Sequence, residues 1–223
     1  MTTRVAGLLP LDRVMRRLAE RRPVYNSEAD LQHSFARTVW ELAPSIETRL
    51  EVQQAITGKS EHLDMLCIAE KRTAVEFKYW TRSWHGTAGP SEEEYHLRSH
   101  AATDLARRNF VFDVERLERF CNRRDQNGLA LLITNEPSLW LAPTPGRPRT
   151  RDHEFRIHDG SILSGELLWA KGGYPANSRT LNGRYELSWN QYSRLEGDGG
   201  EFRFLAVEVA PRPSPETRKG QVR

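Results

Sequence analysis

Apolar positions recur with helical spacing at the start of the chain and with strand spacing further along. In residues 8–22 and 27–42, apolar residues lie three or four positions apart, which places them on one face of an α-helix. Pro23 ends the first helix, and Ser27 is a candidate N-cap for the second. Residues 45–53 alternate apolar and polar positions, which predicts a half-buried strand.

Three apolar runs predict buried strands in the centre of the chain. Residues 63–68 and 74–80 are joined by a short polar segment, so we expect them to form a hairpin. Residues 128–134 are continuously apolar and have turn signals on both sides, which is typical of a strand buried on both faces.

The pattern between these strands is less regular. Residues 81–91 contain glycine and proline and are predicted to be a loop. Residues 92–124 are predicted to be helical, in two pieces broken near Asn109. On that helix, His96 and His100 would lie one turn apart, where a polar face is the more ordinary explanation than a metal site.

The chain divides into four segments of different composition. Residues 1–23 form a basic N-terminal helix, and residues 24–140 contain the alternating helices and strands of an α/β (α+β) core. A proline-rich stretch then leads into several strand-like runs, so residues 141–210 are predicted to be a β-rich extension packed on the core. Residues 211–223 are predicted to be a disordered tail.

Composition is that of an ordinary globular protein. The hydrophobic share is 38% and the charged share is 28%, which excludes the intrinsically disordered class. No apolar run approaches the ~20 residues that a transmembrane helix needs, so we expect no membrane partner. The two cysteines, Cys67 and Cys121, lack metal-ligand spacing and are interpreted as buried reduced thiols, which favours a cytoplasmic protein.

Positive charge is unevenly distributed. Residues 4–22 and residues 107–124 each contain six arginines, although the net charge of the whole chain is only +3. Clusters of arginine beside an acidic remainder suit a phosphate-rich partner held near metal-binding carboxylates. Solvated helix faces are the alternative explanation.

Three charges lie inside the predicted hairpin, where apolar residues would normally stand. Glu76 and Lys78 are two positions apart and therefore share one face of their strand, while Asp64 lies on the neighbouring strand. Two carboxylates forced together repel, and either a shared proton or a divalent cation resolves that repulsion. Because the nearby ligands are oxygens, the expected ion is Mg²⁺, with Mn²⁺ as a substitute.

Each of these charges also has a simpler explanation. A glutamate two residues before a lysine is common on solvent-facing edge strands, although the bulky apolar residues around Glu76 favour a central strand. Glu28 lies on the apolar side of its helix, three residues before Leu31, and could join the site. It could equally be an acid of the first turn that complements the helix dipole.

In order and spacing these residues resemble the PD-(D/E)XK nuclease superfamily, which has the restriction-endonuclease-like fold. The resemblance covers residues 24–135: a helix with Glu28, a strand, a strand with Asp64, and a strand with Glu76 and Lys78 followed by helices. It implies a mixed β-sheet flanked by helices and a metal-dependent nuclease that hydrolyses phosphodiester bonds, most plausibly in DNA.

The resemblance also implies individual roles. Asp64 and Glu76 would be metal ligands, together with the backbone carbonyl of Phe77, and Glu28 would be an outer ligand acting through water. Lys78 would be the catalytic lysine. For nucleic-acid binding, the candidates are the arginines of the predicted helix and the aromatic residues after the Lys78 strand: Arg107, Arg108, Arg116, Trp84 and His85.

Two further functions are consistent with the same sequence. The protein could keep the fold as a catalytically silent nucleic-acid-binding or scaffolding protein. It could also be a nuclease subunit that is active only in a larger defence or recombination complex, or a homodimer that cuts both strands of a duplex.

Overall fold

The computed structural model describes residues 3–56, 59–146 and 148–212. The α-helices are Leu11–Arg21 (α1), Glu28–Leu42 (α2), Thr103–Phe120 (α3) and Pro137–Trp140 (α4). The strands are Arg4–Val5 (β1), Leu9–Pro10 (β2), Glu47–Ile56 (β3), Lys59–Ile68 (β4), Arg72–Trp80 (β5), Trp84–Ala88 (β6), Glu93–Leu97 (β7), Gln126–Thr134 (β8), Ile162–Leu167 (β9), Arg179–Glu186 (β10), Trp189–Arg194 (β11) and Glu201–Val209 (β12).

A mixed sheet of six strands is the centre of the described structure, in the order β11-β12-β8-β5-β4-β3. Strand β5 runs parallel to β8, and every other neighbouring pair is antiparallel. The hairpin predicted for β4 and β5 is confirmed. All nine residues of β8 are buried, as expected for an apolar strand in the middle of a covered sheet.

Helices cover both faces of this sheet. The apolar faces of α1 and α2 pack on one side, against residues that include Val75 and Phe77 of β5. The apolar face of α3 packs on the other side, with Phe110 and Leu117 among its buried residues. The predicted N-cap of α2 is confirmed, because the Oγ of Ser27 accepts a hydrogen bond from the Asp30 amide at 3.2 Å.

Gly128 of β8 allows α3 to approach the sheet closely. A Cβ atom at this position would lie 3.0 Å from the Sγ of Cys121 and 3.1 Å from the Cβ atoms of Leu117 and Val209. These contacts are tighter than ordinary van der Waals packing, so any larger residue would push the end of α3 away from the sheet. Both cysteines are buried free thiols, as predicted.

The segment between β5 and α3 differs from the sequence-based prediction. The expected loop contains β6, and β7 lies where a helix was predicted, so these two strands form a small hairpin. Helix α3 runs without a break through Asn109. His96 therefore lies on β7 and His100 in the following loop, and the prediction that they lie one helical turn apart is wrong.

The C-terminal part of the chain is divided between two places. Strands β9 and β10 form a separate hairpin, and the Glu118 carboxylate of α3 accepts a hydrogen bond from the Tyr185 hydroxyl of β10 at 2.7 Å. Strands β11 and β12 instead join the central sheet beside β8. Residues 154–159, which resembled a strand, begin with the 3₁₀ turn His153–Phe155. The predicted tail falls outside the described residues from position 213 onward.

Among the described residues, the helices are too short or too polar for any of them to cross a lipid bilayer.

Candidate active site

Strands β4 and β5 separate at the point where the predicted site begins. Their pairing runs from Ile68 and Arg72 to Met65 and Val75 and then stops, while β4 continues to pair with β3. The side chain of the next residue of β4, Asp64, replaces the lost strand contact. Its Oδ2 accepts a hydrogen bond from the Phe77 amide at 2.7 Å. The separation therefore opens a gap at the edge of β5 and places a carboxylate in it.

Helix α2 supplies a second carboxylate to the same edge of β5. Glu28, the first residue of that helix, accepts a hydrogen bond from the Tyr79 amide at 3.0 Å. A carboxylate at the start of a helix is also favoured by the helix dipole. Glu28 is therefore both an acid in the first turn of α2, where it complements the helix dipole, and a carboxylate beside β5 that could join the site.

Glu76 lies on the α3 face of β5 and is almost completely buried, with 1% of its surface exposed. Its Oε2 accepts a hydrogen bond from the guanidinium of Arg116. Its Oε1 is buried and has no hydrogen-bond partner among the described residues. A buried carboxylate oxygen without a partner is costly, so this atom is a candidate ligand for a cation.

Helix α3 adds two charged residues that sequence analysis did not assign to the metal site. Arg116 also donates to Asp113 Oδ1 at 2.8 Å, one turn earlier on the helix. The second carboxylate oxygen of Asp113 lies 3.2 Å from the Nζ of Lys78. A signal was present in the sequence: Asp113 follows Phe110 at the spacing of the buried helical stripe, a position where a charge needs a partner.

Lys78 lies among several oxygen atoms. Its Nζ donates to the Phe77 carbonyl at 2.8 Å and lies 3.6 Å from Glu28 Oε1, in addition to its contact with Asp113. Burial alone would lower the pKa of this ammonium, but the carboxylates of Asp113 and Glu28 outweigh burial and raise the pKa. Lys78 is therefore a permanent cation beside the Phe77 carbonyl.

Together these side chains form what we call the acidic cluster. Its six members are Glu28, Asp64, Glu76, Asp113, Lys78 and Arg116. With all groups ionised, four carboxylates face two cations, and two negative charges remain uncompensated. One divalent cation would balance that excess.

Burial raises the pKa values of three members of the cluster. Burial, reinforced by the neighbouring Asp64 carboxylate, raises the pKa of Glu76 to about 9. Burial raises the pKa of Asp113 to about 6 even though Lys78 and Arg116 lie beside it. Burial also raises the pKa of Glu28. Glu28, Glu76 and Asp113 are thus harder to ionise than usual, chiefly because burial disfavours their charged forms.

The donor atoms of the cluster fit a hard cation that retains much of its water. Among the described residues, no group of three or more His, Cys, Asp and Glu side chains is arranged to hold a metal ion. Mg²⁺ does not require such a cage, because it is commonly held by one or two carboxylates, with water and substrate phosphate completing its shell. The atoms that could serve are the unpartnered Glu76 Oε1, the Asp64 carboxylate and the Phe77 carbonyl.

A cleft opens beside the acidic cluster on the side of Lys78. Its volume is about 660 Å³. Glu28 and Lys78 line it from the cluster, Trp80 from the end of β5, His100 from the loop after β7, and Asn109 from α3. Glu28 and Lys78 are therefore the members of the cluster that border a surface that could hold a ligand.

Several candidate nucleic-acid contacts have internal roles instead. Arg107 is buried, with its guanidinium 2.7 Å from Asp152. Arg116 belongs to the acidic cluster. Trp84 is buried in the core, where its Nε1 donates to the Glu196 carbonyl at 2.9 Å. For these three residues, the expected role on an open binding surface is wrong, because each is already bonded within the protein.

Arg108 and His85 are less enclosed. The guanidinium of Arg108 donates to the side chain of Asn177 at 3.2 Å and lies over the ring of Phe112, so much of it is also occupied. His85 is exposed on β6, opposite His96. Neither residue lines the cleft beside the acidic cluster.

No protein-family model matches the chain, and no curated protein or solved structure is significantly similar to it. The function is therefore inferred from the acidic cluster and from the cleft beside it.

Proposed function

We propose that this protein is a Mg²⁺-dependent nuclease of the PD-(D/E)XK type that hydrolyses phosphodiester bonds, most plausibly in DNA. One observation carries the proposal: β4 and β5 separate at Asp64, and the gap holds carboxylates whose negative charge exceeds that of the nearby cations. A stable fold would normally avoid such an excess. A bound divalent cation would neutralise this excess and could in turn bind a phosphate-containing substrate.

The order of elements supports a restriction-endonuclease-like fold. A helix with Glu28 precedes three antiparallel strands, the last of which carries Glu76 and Lys78, and a helix then leads to a parallel strand beside β5. A fold alone does not define a function. The proposal therefore depends on the side chains within the gap.

Asp64, Glu76 and the Phe77 carbonyl would hold the metal ion, with Glu28 contributing through water. Once bound, Mg²⁺ polarises the scissile phosphate and offsets the negative charge that develops in the transition state. Arg116 keeps Glu76 Oε2 in place and leaves Oε1 as the ligand atom. Mn²⁺ has the same preference for oxygen ligands and would substitute.

Lys78 would orient the attacking water. Its ammonium now donates to the Phe77 carbonyl at 2.8 Å and contacts Glu28 and Asp113. These partners fix the Nζ atom beside the metal ligands and at the floor of the cleft. A fixed cation at this position can hold a water molecule by hydrogen bonding and can stabilise added charge on the phosphate.

The proposal is tested by incubating the purified full-length protein with supercoiled plasmid, linear duplex DNA, single-stranded DNA and RNA, with Mg²⁺, Mn²⁺ or EDTA. We expect cleavage that requires a divalent cation and is lost in Lys78→Ala. The matched control is Lys171→Ala, a lysine in the short turn Trp169–Gly172 and outside the cleft. Cleavage by Lys78→Ala at the wild-type rate would overturn the assigned mechanism.

Calorimetry distinguishes the nuclease from a catalytically silent protein. A nuclease binds Mg²⁺ or Mn²⁺ at the acidic cluster, and Glu76→Gln abolishes that binding. Nucleic-acid binding without metal binding or cleavage would instead identify a scaffolding protein. Metal binding without cleavage of any substrate would point to a subunit that needs a partner.

A further inference from the structure

The cleft beside the acidic cluster is lined by hydrogen-bond donors that have no partner within the described part of the protein. The guanidinium of Arg98 makes no hydrogen bond or ion pair there. Among the described residues, the Nε2 of His100 and the Nδ2 of Asn109 are likewise unpaired, because the hydrogen bonds of these side chains use Nδ1 and Oδ1. Lys78 adds a cation at the floor. Such a surface favours a ligand that is anionic and rich in acceptors.

Thr81 fixes the loop that presents two of these donors. This buried residue follows β5, and its hydroxyl donates to the Arg98 carbonyl at 2.9 Å. The amide of His100 donates to the Thr81 carbonyl at 2.8 Å. These bonds use the backbone of the loop and leave the side chain of Arg98 free. The backbone of the loop is therefore held in place without any ligand, which fixes the positions from which the side chains of Arg98 and His100 extend.

His100 has a defined orientation and tautomer. Its Nδ1 lies 3.1 Å from the Thr81 amide, which can only donate, and 3.3 Å from the Thr81 carbonyl; the shorter contact with the amide favours the neutral tautomer in which Nε2 carries the proton. The imidazole lies against the indole of Trp80, with ring centroids 5.0 Å apart and an interplanar angle of 39°. Because Trp80 is half-buried and His100 is exposed, the pair forms a short aromatic stack that extends from the protein to the surface.

The dimensions of the cleft limit what can enter it. A volume of about 660 Å³ falls in the range of small-molecule sites, about 300–1,000 Å³. A nucleotide with an exposed base fits that volume, but a stacked duplex does not. Aromatic stacking combined with cationic phosphate contacts is the way proteins bind single-stranded nucleic acid.

We infer that this cleft binds an unpaired nucleotide next to the scissile phosphate, and hence that the substrate is single-stranded nucleic acid or a duplex with an unpaired segment. The base stacks on His100, which is supported from behind by Trp80, and the side chains of Arg98 and Asn109 bond to the phosphate and to the acceptors of the base. This inference rests on the proposed nuclease function and specifies its substrate.

Binding measured without metal tests the cleft separately from catalysis. The probes are a fluorescein-labelled 12-nucleotide DNA strand and the blunt duplex of the same sequence, titrated with full-length protein in EDTA and followed by fluorescence anisotropy. We expect the single strand to bind at least about fivefold more tightly than the duplex. Arg98→Ala and His100→Ala should each weaken single-strand binding about five- to tenfold and change duplex binding less than about twofold.

Arg124→Ala is the matched control, because Arg124 is also exposed and has no ion pair or hydrogen bond of its side chain to the described residues, but follows the far end of α3. It should change binding of either probe less than about twofold. Thermal unfolding of each variant shows whether the fold is intact. If His100→Ala unfolds, Arg98→Ala still tests the cleft. Arg98 contributes only its backbone carbonyl to the bonds that hold the loop, so this substitution should leave the loop folded.

The outcomes separate this inference from the proposed function. Equal binding of the two probes, or equal effects of Arg98→Ala and Arg124→Ala, would overturn the cleft assignment even if the wild-type protein is a metal-dependent nuclease. Single-strand binding that depends on Arg98, without cleavage of any substrate in Mg²⁺ or Mn²⁺, would preserve the cleft assignment and reject the nuclease.

Discussion

The Phe77 amide donates to the Asp64 carboxylate at 2.7 Å, at the position where β4 has stopped pairing with β5. The carboxylate therefore has two tasks. It satisfies a backbone group that the separated strands leave open, and it places negative charge beside Glu76. Bonding to the Phe77 amide needs only a hydrogen-bond acceptor, whereas placing negative charge beside Glu76 needs a carboxylate. Substitutions that keep the acceptor and remove the charge can therefore distinguish the two roles.

Asp64→Asn should preserve the fold and abolish metal-dependent cleavage. The amide oxygen of asparagine still accepts from Phe77, so we expect the free energy of unfolding in EDTA to stay within about 1 kcal/mol of wild type. Loss of the charge should reduce Mg²⁺-dependent cleavage by at least about 100-fold. Urea denaturation and a plasmid cleavage assay measure the two effects.

Asp64→Ala is the variant to compare with Asp64→Asn. It leaves the Phe77 amide without its acceptor and should cost about 1–3 kcal/mol in addition to the loss of cleavage. Wild-type cleavage by Asp64→Asn would show that the charge is not required, and Asp64 would then be only a structural acceptor.

Glu76→Gln should stabilise the metal-free protein increasingly as the pH rises. The pKa of Glu76 is raised from 4.5 to about 9, so between these values the folded protein binds a proton that the unfolded chain has released. Wild-type stability therefore falls as the pH rises across this window. Glutamine does not titrate, and its advantage should grow by at most about 1.4 kcal/mol per pH unit.

The measurement is urea denaturation in EDTA at about pH 5, 7 and 9, the range over which this group releases its proton. Glu166→Gln, at an exposed position of β9, is the control and should follow the wild type at every pH. A stability difference between Glu76→Gln and wild type that stays constant with pH would contradict the unbalanced charge in the acidic cluster.

Local patterns were sufficient to predict the centre of this site. Strand periodicity alone placed Glu76 and Lys78 on one face, and the short segment between two apolar runs predicted the β4–β5 hairpin that brings Asp64 close. In each case the decisive residues lie close together in the sequence. Apolar patterning likewise predicted α1, α2 and β8.

Features that depend on distant contacts were missed. The β6–β7 hairpin is short and depends on contacts with distant parts of the chain. Trp84 packs edge-on against Phe202 of β12, with ring centroids 6.4 Å apart, and no local pattern indicates this contact. The sequence-based prediction placed residues 92–97 in a helix, in which His96 and His100 would lie one turn apart. The pairing of β12 with β8 joins residues 69 to 81 positions apart, so local patterns could not assign the C-terminal strands to the central sheet.

Mg²⁺ and Mn²⁺ should raise the thermal stability of the protein, and more strongly at high pH. A ligand at 100 times its dissociation constant adds about 2.7 kcal/mol to the free energy of unfolding. Glu76 must lose its proton before it can bind a cation, so the gain should be larger at about pH 8.5 than at about pH 6. Thermal scans with metal and with EDTA give the difference.

Glu76→Gln and Asp64→Asn should show no metal-dependent gain, whereas Glu166→Gln should keep it. A rise in the unfolding temperature that is equal in all four proteins would indicate general binding of cations to the surface. A gain that is larger at low pH would contradict metal binding through Glu76.

Arg116 and Arg119 lie one turn apart on α3 and should respond differently to substitution. Arg116 bonds to Glu76 and Asp113, two buried carboxylates, so Arg116→Ala leaves both without their guanidinium partner. Because Lys78 still pairs with Asp113, and because the raised pKa leaves Glu76 protonated at neutral pH, Arg116→Ala should cost about 1–3 kcal/mol at about pH 7. Arg119 pairs with Glu61 and Glu115, and all three side chains are half-buried and reached by solvent, so Arg119→Ala should cost less, about 1 kcal/mol.

The two variants also show whether Mg²⁺ binding depends on the positioning of Glu76 by Arg116 or only on the number of positive charges. Arg116 holds Glu76 in position, so we expect Arg116→Ala to weaken Mg²⁺ binding, measured by calorimetry at a temperature where the variant is folded. Arg119→Ala removes the same charge and should bind Mg²⁺ as wild type does. If both variants lose the same stability and retain metal affinity, Glu76 does not depend on Arg116, and the acidic cluster does not act as one unit.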